Sequence, residues 1–383
     1  MISRRSATIT AMRGLLSLVL GCAACGFSVR SDAVPSDASS DAPGDGGSSG
    51  EGGDAGFCYG AGFGAVCLSA APTSPLVLPN DPGFDTSGGG CTEIVSSQGS
   101  ELCVMAGTTV SLPAGRTFRG LGVRPLVVVA VDTMTIDGFL GVSSLIGSMP
   151  GAGSGFAPCS GATAGVDDVG GAGGGAGGSF GGRGGTGGTG DLDATPSLGG
   201  VPAPTVVPTS IRAGCPGTSG GTGDSAGGAS RPGGGALYLI AGVQITINGG
   251  LYSVGRGGAG ATSRGGGGGG GSGGLVGLDA PAVHIVGTIA ANGGGGGEGA
   301  RVQVETGFDG SDGLVGGRAP GGDDLDPFDG AGGDGSEGTT LAGGPGIGAD
   351  GGGGGGGGGA GFVYLKGART GTGPISPAAV VVP

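Results

Sequence analysis

The chain contains no tryptophan, a single histidine (His284), a single lysine (Lys366) and few charges, 12% of 383 residues. Each scarcity excludes something. One imidazole cannot complete the usual Cys/His zinc site, and Cys22-Ala-Ala-Cys25 is the sole CxxC. A serine nucleophile would find one candidate base in the whole sequence. Sixteen basic residues stand against 29 acidic ones, for a formal charge of −13, which disfavours nucleic acid and anionic lipid as partners. Aromatic residues supply 4% of the chain, so large side chains cannot fill an extensive core. Glycine is abundant instead, at 109 residues, yet it does not fall at every third position throughout, which excludes a collagen helix. The apolar residues gather in short cassettes and are sparse between them.

Those cassettes repeat. Leu126-Val-Val-Val-Ala130 leads into Met134-Thr-Ile-Asp-Gly-Phe-Leu140, and Ala236-Leu-Tyr-Leu-Ile-Ala241 leads into Ile245-Thr-Ile-Asn-Gly-Gly-Leu251. Ala130, Ile136 and Leu140 each recur 111 positions later. Leu275–Ile289 is a third copy with one residue deleted, and Phe362-Val-Tyr-Leu365 begins a fourth. Within each copy the apolar residues alternate: Leu126, Val128, Met134, Ile136, Leu140; then Leu237, Leu239, Ile245, Ile247, Leu251; then Val276, Leu278, Val283, Ile285, Ile289. Period two with β-branched residues predicts strands with one buried face, and repetition of a strand pair predicts stacked rungs. The expected fold is all-β: a right-handed parallel β-helix-like solenoid over 124–383 with long glycine-rich loop insertions and a disulfide-held N-terminal cap over 58–123.

The insertions run from Gly151 to Gly235, Gly255 to Gly274 and Gly293 to Gly359, with Gly265–Gly271 and Gly351–Gly359 as pure glycine. Two states remain open for them. Isolated polyglycine is flexible. Adjacent tracts can alternatively pair as polyproline-II-like strands through the backbone, because no side chain obstructs them.

The N-terminus reads as an export signal over residues 1–21. Arg4, Arg5 and Arg13 precede the apolar run Gly14–Leu20, which falls short of the about 20 residues a membrane-spanning helix needs. Val19-Leu-Gly-Cys22 resembles the lipobox of bacterial lipoproteins, and by that resemblance Cys22 is lipidated and partners the membrane. The alternative is a plain signal peptide cut after a small residue. Ala23, where many inner-membrane lipoproteins carry aspartate, favours the outer membrane by the same resemblance. Residues 22–57 form an acidic Ser/Asp/Ala/Gly tether with too little apolar surface to offset its ordering entropy. The expectation is an exported, lipid-anchored, surface-exposed protein.

An oxidising compartment leaves Cys58, Cys67, Cys91, Cys103, Cys159 and Cys215 for three disulfides. Spacing does not derive their connectivity; sequential pairing is the simplest arrangement. A Cys159–Cys215 bridge would staple the longest insertion at its base and stabilise by about 3–4 kcal/mol.

Arg124-Pro-Leu-Val-Val-Val-Ala130, Gly234-Gly-Ala-Leu-Tyr-Leu-Ile-Ala241, Gly273-Gly-Leu-Val-Gly-Leu-Asp-Ala-Pro281 and Ala291-Asn-Gly-Gly-Gly-Gly-Gly297 are similar to segments of glycine-rich surface lipoproteins found mainly in myxobacteria. The resemblance covers roughly 58–365. It implies an extracytoplasmic β-helix-like protein and no activity.

Motifs for chemistry are weak. Gly223-Asp-Ser-Ala-Gly227 matches a hydrolase nucleophile pattern, but only His284, with Asp279 nearby in sequence, is on hand as base, and the strand–turn–helix setting is missing. Asp132 and Asp137 fall on opposite strand faces, so they do not form the carboxylate pair of a polysaccharide-cleaving enzyme. His284 should project outward beside Thr135 and Thr246, with Asp137 and Asn248 next to them: a polar row suited to a glycan. Asp323, Asp324, Asp326 and Asp329 cluster among glycines in a way that suits calcium, the only cofactor the sequence suggests. The bland alternative is a solvated acidic loop. The expected role is non-enzymatic, structural or adhesive, in the envelope or matrix, with cell-surface polysaccharide or other envelope proteins as partners. A carbohydrate-binding or carbohydrate-cleaving β-helix is the alternative.

Overall fold

A computed structural model describes residues 56–154, 159–192, 195–323 and 329–382. The export signal, Cys22, nearly all of the tether, Asp324 and Asp326 lie outside the described residues.

The chain folds as β-structure, with one short 3₁₀ turn at Gly62–Gly64 and no α-helix among the described residues. Strands β1 (Phe57–Tyr59) and β2 (Val66–Leu68) form an antiparallel hairpin. A short first rung follows in β3 (Leu76–Val77) and β4 (Asp81–Asp85). After β5 (Glu93–Ser97) comes a full rung: β6 (Ser100–Gly107), β7 (Val110–Leu112) and β8 (Thr117–Leu121). The next rung is β9 (Leu126–Ala130), β10 (Thr133–Ile136) and β11 (Phe139–Gly141). The one after it is β12 (Ala236–Ala241), β13 (Gln244–Ile247) and β14 (Gly250–Tyr252). Then come β15 (Leu275–Ile285) with β16 (Thr288–Ala290), and β17 (Phe362–Thr370) with β18 (Ile375–Ser376) and β19 (Val380–Val382).

Successive rungs pair in parallel and build three ladders. The first is β6-β9-β12-β15-β17-β19, the second β3-β7-β10-β13-β15-β17, and the third β4-β8-β11-β14-β16-β18. The register agrees with the spacing of the repeat: Ala130 faces Ala241, Ile136 faces Ile247 and Leu140 faces Leu251. Deleting one residue between Asp279 and Ala282 removes the corner between the first two ladders, so β15 runs through it and joins them in one 11-stranded sheet. Parallel stacking begins before residue 124, because β6, β7 and β8 pair directly with the next rung.

Inward side chains form columns. Leu112, Ile136, Ile247 and Ile285 stack in one; Phe118, Leu140, Leu251 and Ile289 in another; Met105, Val128, Leu239, Leu278 and Leu365 in a third. All of these belong to one buried cluster. The first ladder is buried on its outer face too. Val127, Val129, Tyr238, Ile240 and Tyr364 contact a second cluster with Val66, Leu68, Val95 and Phe180. The β1–β2 hairpin therefore flanks the ladder, its Phe63 ring edge-on to Tyr238 and Tyr364 at 5.8 and 5.0 Å. Strand β5 covers the free edge of β6 in antiparallel pairing, which is how an exposed edge is kept from pairing elsewhere. From β10 onward each rung turns at a glycine between the second and third ladders, and Gly138, Gly249, Gly287 and Gly373 stack so closely that a Cβ on any of the last three would strike the carbonyl of the glycine before it.

Disulfides join Cys58–Cys67, Cys91–Cys103 and Cys159–Cys215. The second ties the segment leading into β5 to Cys103 in the core cluster, and the third closes the longest insertion.

The glycine tracts are packed. Tract 351–361 donates from successive residues in three directions, repeating every third residue. Gly352, Gly355, Gly358 and Gly361 bond the carbonyls of Ala300, Gly297, Gly294 and Ala291; Gly353, Gly356 and Gly359 those of Ala172, Gly175 and Gly178; Gly354, Gly357 and Ala360 those of Ile347, Gly344 and Leu341. Its own carbonyls accept from three further tracts: from Gly182, Gly185 and Gly188, from Gly267, Gly270 and Gly273, and from Gly333 and Ser336. A period of three is that of polyproline II, which has no internal hydrogen bonds and so leaves every amide for a neighbour. Six neighbours around one tract leave no room for side chains: a Cβ on Gly354, Gly355 or Gly357 would lie far inside contact distance of a backbone carbonyl.

Candidate functional site

The polar row expected from sequence is assembled by the second ladder. Inward Met134 and Ile136 force Thr135 outward, and strict register stacks Ser111, Thr135, Thr246, His284 and Thr370 across successive rungs. His284 Nδ1 lies 2.9 Å from Thr370 Oγ1, and Gln244 Nε2 donates to Thr246 Oγ1 at 2.9 Å. At the adjoining corner Asn248 Nδ2 donates to Asp137 Oδ1 at 2.8 Å. Ser111 and Thr370 extend the row beyond the sequence expectation. Ser111 was legible in the alternation Val110-Ser-Leu112; Thr370 was hidden by the shortened corner at Gly367, which has φ +113° and only two steps between Lys366 and Ala368.

The hydrolase-like constellation is not brought together. Asp279 lies on the outer face of the first ladder, is 7% exposed, and accepts the Ala61 amide at 2.8 Å; His284 bonds Thr370. The lone lysine, Lys366, sits in register with Asp279, Nζ to Oδ1 3.8 Å. Beside them the Tyr238 phenol is pushed well above its usual range, first by burial, then by the Asp279 charge and Tyr364. This group clamps the hairpin to the ladder around a recess of about 280 Å³. Two further serines in Gly-x-Ser-x-Gly runs, Ser179 and Ser272, accept the amides of Gly184 and Cys215 through Oγ, so both hydroxyls bind tract backbone.

The acidic residues near the calcium candidates are dispersed. Asp312 accepts from Ile146 and Gly257, and Asp309 from Gly260, so these carboxylates take backbone amides of the neighbouring tract. Asp323 is exposed and Asp329 buried. Among the described residues no group of three or more His, Cys, Asp or Glu side chains converges as a metal site requires.

Sequence reasoning missed a cavity of about 510 Å³ between the β5–β6 turn and the segment 206–212, walled by Val123, Pro125, Pro208, Ile211, Arg124 and Arg212. Arg124 pairs with Glu101 at 2.8 Å. Arg212 lies 5.2 Å from the Phe180 ring centre and points Nη2 at the sulfurs of Cys159 and Cys215, at 3.2 and 3.4 Å; burial lowers its pKa.

No protein-family model, curated protein or solved structure matches the chain.

Proposed function

We propose that the chain is a lipid-anchored, surface-exposed protein with a non-enzymatic structural or adhesive role in the cell envelope or extracellular matrix, its rungs wound as a right-handed parallel β-helix. Parallel connections within one sheet are right-handed in about 98% of cases, which supports the hand. The observation that carries the role is the cross-bracing: two differently packed bodies share one chain and are joined by backbone hydrogen bonds, while three disulfides close loops within each. Such a body resists extension and proteolysis, properties a matrix component needs. Its glycine bundle also displays Val166, Leu192, Leu198 and Ile347 at the surface, apolar groups available for contact. Protease treatment of intact cells tests the reading. Release of the domain from wild-type cells, and its loss to the medium in a Cys22→Ala strain, are expected; complete protection of the domain on intact cells overturns it.

The second reading is carbohydrate binding, supported by the row of four hydroxyls and one imidazole at Ser111, Thr135, Thr246, His284 and Thr370, whose side chains are spaced by the rungs.

A further inference from the structure

The third ladder presents a different surface around the corner from the hydroxyl row. Its core residues are Phe118, Leu140, Leu251 and Ile289, so the alternate positions face outward. One outward row runs Thr117, Phe139, Gly250, Thr288. Phe139 is 48% exposed although it is a large apolar residue on a regular strand. Gly250, its register partner, carries no side chain, and the Tyr252 ring occupies that space: a Cβ on Gly250 would collide with the Tyr252 hydroxyl, Cζ and Cε2. The Tyr252 ring is thereby drawn back across the strand beside Phe139. Their centroids are 5.9 Å apart and their planes differ by 24°.

The result is a pair of nearly parallel rings on an outer sheet face, with a threonine in register at each end. The Asp137–Asn248 pair stands at the adjoining corner, where Asp137 is followed by Gly138 and Phe139. Phe139 stands exposed and Tyr252 half-buried on this face, and neither ring belongs to the core, which lies on the opposite face. The faces of aromatic rings carry negative potential and attract the C–H groups of a flat apolar surface. A pyranose ring offers such a surface on one side and hydroxyls around its rim, which threonine, asparagine and aspartate can bond. The protein's acidic charge and the carboxylate at the corner oppose an anionic polymer.

We propose that Phe139 and Tyr252 form a binding platform for neutral polysaccharide, with Thr117, Thr288, Asn248 and Asp137 bonding the sugar hydroxyls. The inference rests on the carbohydrate-binding reading and assigns its site to the third ladder, not to the hydroxyl row of the second.

Affinity electrophoresis of the full chain in gels containing a soluble β-glucan, a xylan, a galactomannan or, for contrast, alginate tests it. Retardation by at least one neutral polymer and none by alginate is expected. Phe139→Ala and Tyr252→Ala should each weaken retention by about tenfold or more, Phe139→Tyr should keep it, and Thr246→Val should leave it unchanged. Thermal melts matching wild type establish that the variants are folded, and Phe139→Tyr serves as the folded control should Tyr252→Ala melt early. Retention that survives Phe139→Ala but is lost in Thr246→Val overturns the platform while carbohydrate binding stands. Retention by alginate alone overturns the assignment to neutral polymers, and no retention in any gel overturns both platform and reading.

Discussion

Two regions of this molecule solve the same packing problem by opposite means. In the rung stack, strands repeat every second residue, and Leu, Ile, Val and Met side chains fill the space between three ladders. In the glycine bundle, the repeat is three residues and the space between tracts is too narrow for a methyl group at most central positions. Burial of apolar surface drives the first, at about 25 cal/mol per Å². The second has little apolar surface to bury, so it depends on pairing every amide, each pair contributing about 1 kcal/mol net against the large ordering entropy of glycine. The lesson is that a sequence without side chains can still be ordered when enough tracts are held side by side. The rungs supply that condition, because each insertion begins and ends on a rung and its tracts are thereby delivered next to one another.

Breaking the disulfide that closes the longest insertion of the bundle should have the largest effect. Replacing Cys159 and Cys215 together by serine frees a 56-residue separation and should cost about 4 kcal/mol in denaturant unfolding under oxidising conditions. Hydrogen exchange would sharpen the result. Amides of tract 171–190 should lose protection while those of β9 and β12 keep theirs, and uniform loss across both would show that the two bodies fold as one unit.

Next in size are substitutions that exploit the contrast in side-chain demand. Leu239→Ala removes a fully buried core column member and should cost about 3 kcal/mol by leaving a cavity. Gly356→Ala does the reverse, adding one methyl against the Gly185 carbonyl, and should cost about 2 kcal/mol by overpacking. Thr186→Ala, on the exposed third position of the run Gly184-Gly-Thr-Gly-Gly-Thr189, should change stability by less than about 0.5 kcal/mol. If Gly356→Ala is as silent as Thr186→Ala in chemical denaturation, the close-packed account of the bundle is wrong.

The smallest effect concerns the seam between hairpin and ladder. The Tyr238 phenol has a raised pKa in the folded protein because of burial and the neighbouring Asp279. The folded state therefore holds this proton where the unfolded chain would release it, so its contribution is complete below about pH 10 and declines as pH rises further. An alkaline series of melting temperatures should show this decline, and Tyr238→Phe should flatten it. An unchanged slope in the variant would place the alkaline sensitivity elsewhere, on Tyr252 or Tyr364, whose pKa values are also raised by burial.

The rungs were legible because strand pairing imposes a fixed register, and a 111-residue recurrence of Ala130, Ile136 and Leu140 records that register directly. The hydroxyl row followed from the same parity. The burial of both faces of the first ladder was not legible, since nothing in Leu126-Val-Val-Val-Ala130 says which distant segment will cover Val127 and Val129. Nor was the Phe139–Tyr252 pair, which exists because Gly250 leaves space for a ring from two residues further along. A signal for the bundle was present in Gly181-Gly-Arg-Gly-Gly-Thr-Gly-Gly-Thr189, where every third residue is not glycine. Read locally, that spacing marks a tract with two covered faces and one in solvent, and Arg183 and Thr186 are indeed exposed.

Taken by itself, the sequence determined that this chain is β-structured, that its cassettes stack in register, and that glycine tracts interrupt them at corresponding places. Alternation and recurrence are local properties, and each residue carries its share of them. Whether the tracts would order, and which surfaces the rungs would leave open, was decided only in three dimensions. A glycine tract has no preference of its own; its hydrogen-bond partners are other tracts far away in sequence, as for Gly353 and Ala172, and they exist only once the rungs have brought those tracts together.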